Sequence, residues 1–151
     1  MILLHRMRIA GLLWPVLALC LMHAPAPARA DADATPADRQ AIRAVIEQQI
    51  AAFQRDDAEA AFSYASPKIH RMFGSSDKFM RMVRQGYQPV YRPRQVQFGL
   101  LARIEGQVTQ RVLLIGPDGL PATALYVMQR LPDGTWRIDG CMLLPAEDRS
   151  T

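Results

Sequence analysis

Cysteine is scarce in this chain of 151 residues: there are two, Cys20 and Cys141. Cys20 falls in an N-terminal segment with the marks of a cleaved leader, so no disulfide framework is expected in the folded part. Histidine is as scarce. Of three, only His70 lies beyond residue 30. One histidine and one cysteine do not furnish a zinc site, and neither H-E-x-x-H nor C-x-x-C occurs. No glycine-rich phosphate loop is present, since "GPDG" at 116–119 reads as a turn. No cofactor is expected from these residues. Long apolar runs are also lacking. The longest, "IAGLLWPVLALCLM", has 14 residues and is interrupted by Pro15. It is too short to cross a bilayer as a helix, so no transmembrane span is expected.

That apolar run does fit a secretory signal. Arg6 and Arg8 precede it, and "APARA" follows, ending in the A-x-A site Ala28-Arg29-Ala30. Cleavage there starts the mature chain at Asp31 and places the protein in a periplasm or outside the cell. A lipid on Cys20 would need a small residue before it, where Leu19 stands. The expected organisation is a signal peptide over 1–30, a linker over 31–35, one domain over 36–145 and a tail over 146–151.

The formal charge of +4 hides an uneven distribution. Arg6, Arg8 and Arg29 lie in the leader, which leaves 15 basic against 14 acidic residues beyond it. Residues 31–67 carry 3 basic and 7 acidic side chains; residues 68–103 carry 8 basic and only Asp77. Lys68, Arg71, Lys78, Arg81, Arg84, Arg92 and Arg94 therefore form a candidate anion-facing surface. The plainer reading pairs these cations with the acidic N-terminal part. Arginines and aromatics are not interleaved, so no nucleic-acid partner is expected.

Thr35, Pro36 and Asp38 make a capping-box start. Ile42, Val45, Ile46, Ile50 and Phe53 then recur at helical spacing, predicting a helix over 36–54. "RDDAEAAFSYASP" restarts a helix capped by Asp56 or Asp57. "KIHRMFG" reads as a short helical turn, and "SDKFMRMVRQG" as a third helix capped by Ser75 or Ser76. "YQPVYRPR" carries Pro89 and Pro93 and reads as extended. From Arg94 the period changes to two. Four strands follow, "QVQFGLLARIE", "QVTQRVLLI", "ATALYVMQRL" and "TWRIDGCMLL", separated by turns at Gly106, at "GPDGLP" and at "PDG". The expected class is α+β: three N-terminal helices packed on a curved antiparallel sheet of four strands.

The long first helix ending in "AFQRDDAEAAFSYAS" and the closing hairpin "LPDGTWRIDGCMLL" resemble the nuclear transport factor 2-like superfamily. That group includes ketosteroid isomerases and SnoaL-type cyclases. "SPKIHRMFGSSDKFMRMV" and "GYQPVYRP" also resemble a family of short exported bacterial proteins known only as a domain of unknown function. The first resemblance implies a cone or cystatin-like roll, its sheet curled around an apolar pocket that holds an acid or base and one or two tyrosines. The second implies no activity.

Strand parity tests which side chains reach such a pocket. Strict alternation puts Val96, Phe98, Leu100, Ala102 and Ile104 on one face, and Trp136, Ile138, Gly140, Met142 and Leu144 on the core face. Arg137, Asp139, Cys141 and Leu143 then point away, with Asp139 beside Arg137 as an exposed ion pair. The opposite face collects Leu101, Leu113, Ile115, Leu125, Val127, Cys141 and Leu143. That is too apolar for open solvent, so something is expected to cover it, and the superfamily resemblance implies a homodimer through the sheet. It would bring Cys141 near its symmetry mate, a candidate interchain disulfide. A bulge would mix the two faces.

The function stays open between classes. One reading is non-catalytic binding of a small apolar ligand or a protein partner. Another is a small general acid/base enzyme with Tyr64, His70 and Tyr126 as polar pocket groups. A third is an envelope protein whose basic region meets anionic headgroups.

Overall fold

The computed structural model of the chain describes residues 34–145. The leader and the tail lie outside the described residues. The class is α+β: five helices pack against a four-stranded antiparallel sheet. The helices are α1 (Pro36–Gln54), α2 (Ala58–Ser63), α3 (Pro67–Phe73), α4 (Ser76–Gly86) and α5 (Gln88–Tyr91). The strands are β1 (Gln95–Ile104), β2 (Gln107–Ile115), β3 (Pro121–Arg130) and β4 (Trp136–Pro145), in that order across the sheet. None of these helices is long and apolar enough to cross a membrane.

Five helices stand where three were expected. The turn at "KIHRMF" is regular enough to be α3, capped by Ser66 and stopped by Gly74 in the left-handed conformation. The stretch read as extended holds α5, where Pro89 sits in the first turn. Proline costs nothing there, because that N–H has no helical partner.

The first helix begins as its sequence predicts. Thr35 Oγ1 accepts from the Asp38 amide, and the Asp38 carboxylate accepts from the Thr35 amide, each at 3.1 Å. Asp38 also receives the indole N–H of Trp136 at 3.1 Å, tying the start of α1 to the start of β4. These hydrogen bonds, that from Thr35 first, hold the Asp38 carboxyl below its ordinary pKa. The apolar stripe Ile42, Ile46, Ile50 and Phe53 is buried. It packs into one core with Phe79 and Val83 of α4 and with Val112, Ala124, Tyr126 and Ile138 of the sheet. Each such side chain, taken fully from water, contributes roughly 1.5–3 kcal/mol before entropy is charged against it.

Two bulges overturn the strict alternation. In β1, Gly99 and Leu100 stand opposite the single residue Arg111, between the pairs Phe98↔Val112 and Leu101↔Gln110. Leu101 therefore turns into the core, while Leu100 is 58% exposed and Ile104 46%. In β4, Asp139 is the extra residue between the pairs Met128↔Ile138 and Val127↔Gly140. Trp136 and Ile138 face the core as expected, but beyond the bulge the faces exchange. Cys141 and Leu143 pack against the core, and Met142 is 56% exposed. The bulge also serves the edge of the sheet. Ser66 N–H donates to Ile138 O at 2.8 Å and Ile138 N–H to Tyr64 O at 2.9 Å, so the α2–α3 linker covers part of β4. A covered edge is protected from pairing with another chain.

Candidate functional site

A cavity of about 300 Å³ lies between the helices and the sheet. Helix α1 supplies Gln49 and Phe53 to its wall, and α3 supplies Ile69, Met72 and Phe73. Helix α4 adds Phe79, Met82 and Val83. The sheet contributes Tyr126 from β3 and the bulged segment Ile138 to Cys141 from β4. The volume sits at the lower end of ordinary small-molecule pockets, and the lining is mostly apolar, as such pockets are.

Tyr126 is the distinctive polar group. It is 0% exposed, and its hydroxyl has no hydrogen-bond partner. A buried hydroxyl left unpaired costs about 1–3 kcal/mol, so native structures rarely carry one. Cys141 stands directly across from it as the cross-strand partner. Burial pushes the Cys141 thiol up to about 12. The phenol of Tyr126 is also raised well above its ordinary value, by burial first and the neighbouring Cys141 second. Both groups are uncharged at any ordinary pH. Tyr87 lines the same cavity, but its hydroxyl donates to Cys141 O at 3.0 Å. Gln49 Nε2 donates to Ala61 O at 3.1 Å.

Of the three expected pocket groups, the structure places only Tyr126 in the cavity. His70 lies outside it, on the exposed side of α3; its ring stacks on Phe62 at 4.1 Å between centroids. Its Nε2 sits 2.6 Å from Phe62 O. Tyr64 caps the end of α2 and does not line the cavity either. The three groups are therefore not assembled into one acid/base site.

The β4 bulge brings in residues that alternation had turned away. Asp139 reaches the cavity rim, where Ser66 Oγ donates to it at 2.6 Å and Lys68 Nζ lies 2.9 Å off. Its partner is thus Lys68 and not Arg137, whose guanidinium donates to Trp136 O. Cys141 likewise points to the cavity and not to the outer face. A disulfide across a sheet-to-sheet dimer loses the geometry on which it was expected. The signal for this was Gly140: glycine inside a strand often marks a bulge, and Gly99 marks the other.

The cations of the middle segment divide. Asp56 holds Arg84 at 3.0 Å and Arg92 at 2.7 Å and also accepts from the Tyr91 hydroxyl. These bonds, led by Tyr91, lower the Asp56 pKa. Arg92 stacks 4.0 Å over the Tyr91 ring and donates to Phe53 O. Arg94 donates to Pro117 O, and Lys68 is bound to Asp139. Arg71, Lys78 and Arg81 are exposed on α3 and α4. Among the described residues, no group of three or more His, Cys, Asp or Glu is placed to hold a metal ion.

A family model covers nearly all of this architecture, from the Thr35 cap through the last strand. The chain belongs to the family described as Domain of unknown function (DUF4864), which matches over residues 35–151. No curated protein and no solved structure matches it. The DUF4864 match spans the capping box, the cavity and both bulges, so the candidate site lies wholly inside the family domain.

Proposed function

We propose that this domain is a non-catalytic binding module for a small apolar ligand held in the cavity between helices and sheet. The observation that carries the reading is the buried, unpartnered Tyr126 hydroxyl in a mostly apolar cavity. A folding core of this size has no use for an orphaned hydroxyl, whereas a ligand supplies its partner. The helix-covered sheet around a pocket also supports the likeness to the nuclear transport factor 2-like cone. The leader pattern at 1–30 supports a periplasmic or secreted setting. Native mass spectrometry of the protein purified from its own compartment tests the reading. A mass above the bare chain, lost on denaturation and absent from Met82→Trp, which fills the cavity, is the expected result. A bare chain in both, with no small-molecule shift of the melting midpoint, would sink it.

Self-association is a second proposal, favoured by the outer face of the sheet. Leu100, Leu113, Met142 and Leu144 are each at least 38% exposed there. A two-fold pairing would make that apolar face self-complementary. Sedimentation equilibrium checks it, and a monomer across the micromolar range would end it.

A further inference from the structure

The cavity also limits the kind of molecule it accepts, granted that it is a ligand site. We propose that the ligand is an uncharged molecule with a carbonyl or hydroxyl oxygen at the end that enters first, and that this oxygen accepts a hydrogen bond from Tyr126 Oη.

Donors in the floor are few. Tyr126 Oη is fully buried and without a partner. Two neighbouring donors are engaged: one N–H of the Gln49 amide by Ala61 O, and the Tyr87 hydroxyl by Cys141 O. Tyr126 O–H is the buried donor left unpaired, beside a thiol, which is only a weak donor. A pure hydrocarbon would fill the apolar walls and leave the hydroxyl as costly as before. A water molecule needs two to four polar partners to be well held. The floor offers it too few, so a ligand oxygen displaces it readily.

A carboxylate or phosphate in the floor is disfavoured by the same accounting. It would give up its hydration for one neutral donor, with no cation at that depth. The nearest cation in the lining, Lys68, is 54% exposed at the rim and bound to Asp139 at 2.9 Å. An anionic headgroup would therefore stay outside and leave Tyr126 unpaired. Burial keeps Cys141 and Tyr126 protonated, so the floor itself carries no charge.

The experiment compares octanol with octanoate near neutral pH by titration calorimetry, on the wild type and on Tyr126→Phe. Octanol should bind at least tenfold more tightly than octanoate. Tyr126→Phe should weaken octanol about three- to tenfold, leave octanoate unchanged, and raise the melting midpoint of the ligand-free protein. That last readout separates a lost ligand contact from a damaged fold. Octanoate binding as tightly as octanol, with Tyr126→Phe without effect, would overturn the proposed polarity while leaving the cavity a ligand site. If neither probe binds and no ligand is carried from the cell, both readings fall.

Discussion

The corner at Asp56 and the floor at Tyr126 treat polar groups in opposite ways. Asp56 sits where α1 breaks, with its backbone in the left-handed region at φ 58°. Arg84, Arg92 and Tyr91 all converge on its carboxylate. The corner is wet, yet it holds a complete network that clamps α4 and α5 to the end of α1. Tyr126 is dry and has no partner. Solvent would forgive a missing bond at Asp56, since water replaces it. No such rescue reaches Tyr126. Polar groups that hold a fold together are satisfied within the chain. One left unsatisfied where that costs most points to something from outside the chain.

The largest effect that sharpens this contrast is chemical. With its thiol near 12, Cys141 at about pH 8 carries roughly a thousandfold less thiolate than an ordinary cysteine. Its alkylation by iodoacetamide should be slower than that of the unfolded chain by about that factor. A rate near that of free cysteine would mean that the floor is wet and the contrast false.

Alkaline pH should destabilise the fold next. The unfolded chain releases the Cys141 proton at an ordinary pKa and the folded chain holds it. The native state thus binds more protons above about pH 8.5, and stability falls as pH rises toward 12. The loss should be on the order of 1–2 kcal/mol by about pH 10, with Tyr126 adding to it above that. Cys141→Ala should flatten the first part of this fall in urea melts. An unchanged slope would show that the thiol is not buried.

Tyr126→Phe in the ligand-free protein should be neutral or stabilising by about 1 kcal/mol, because it removes an unpaired buried hydroxyl. A loss of more than about 1 kcal/mol would show that the hydroxyl already has a partner in the chain. The smallest effect is expected at Asp56. Asp56→Ala should lower the melting midpoint, and Asp56→Gly should lower it less, because glycine relieves the left-handed backbone. Asp38 and Asp56 both have lowered pKa values in the fold, so their stabilisation is present above about pH 4 and fades as pH falls below it. An acid transition unchanged in Asp56→Ala would show that the network at that corner adds nothing.

Much of this architecture was legible in the chain because it rests on local rules. The capping box at Thr35 and Asp38, the helical stripe from Ile42 to Phe53, the cap at Ser75, and the period-two strands depend on neighbours only a few residues away. The family likeness was legible for the same reason. The cavity residues were not. Tyr126 kept its expected parity, but Asp139 and Cys141 were turned the wrong way because alternation has no memory of a bulge. One extra residue at Asp139 exchanges every side chain after it. The chain hints at this through Gly140, but a glycine in a strand does not say where pairing slips.

The chain alone therefore determined the α+β class, the order of helices before four strands, and the cations that outnumber acids in the middle segment. Only the tertiary structure decided which cations are bound and which strand face meets the helices. It also decided that a tyrosine hydroxyl and a cysteine thiol share the floor of one cavity. The reason is range. Caps, turns and periodicity act over one helical turn or one strand pair. Burial and register are settled between residues far apart in sequence, as where Lys68 reaches Asp139 and Trp136 reaches Asp38.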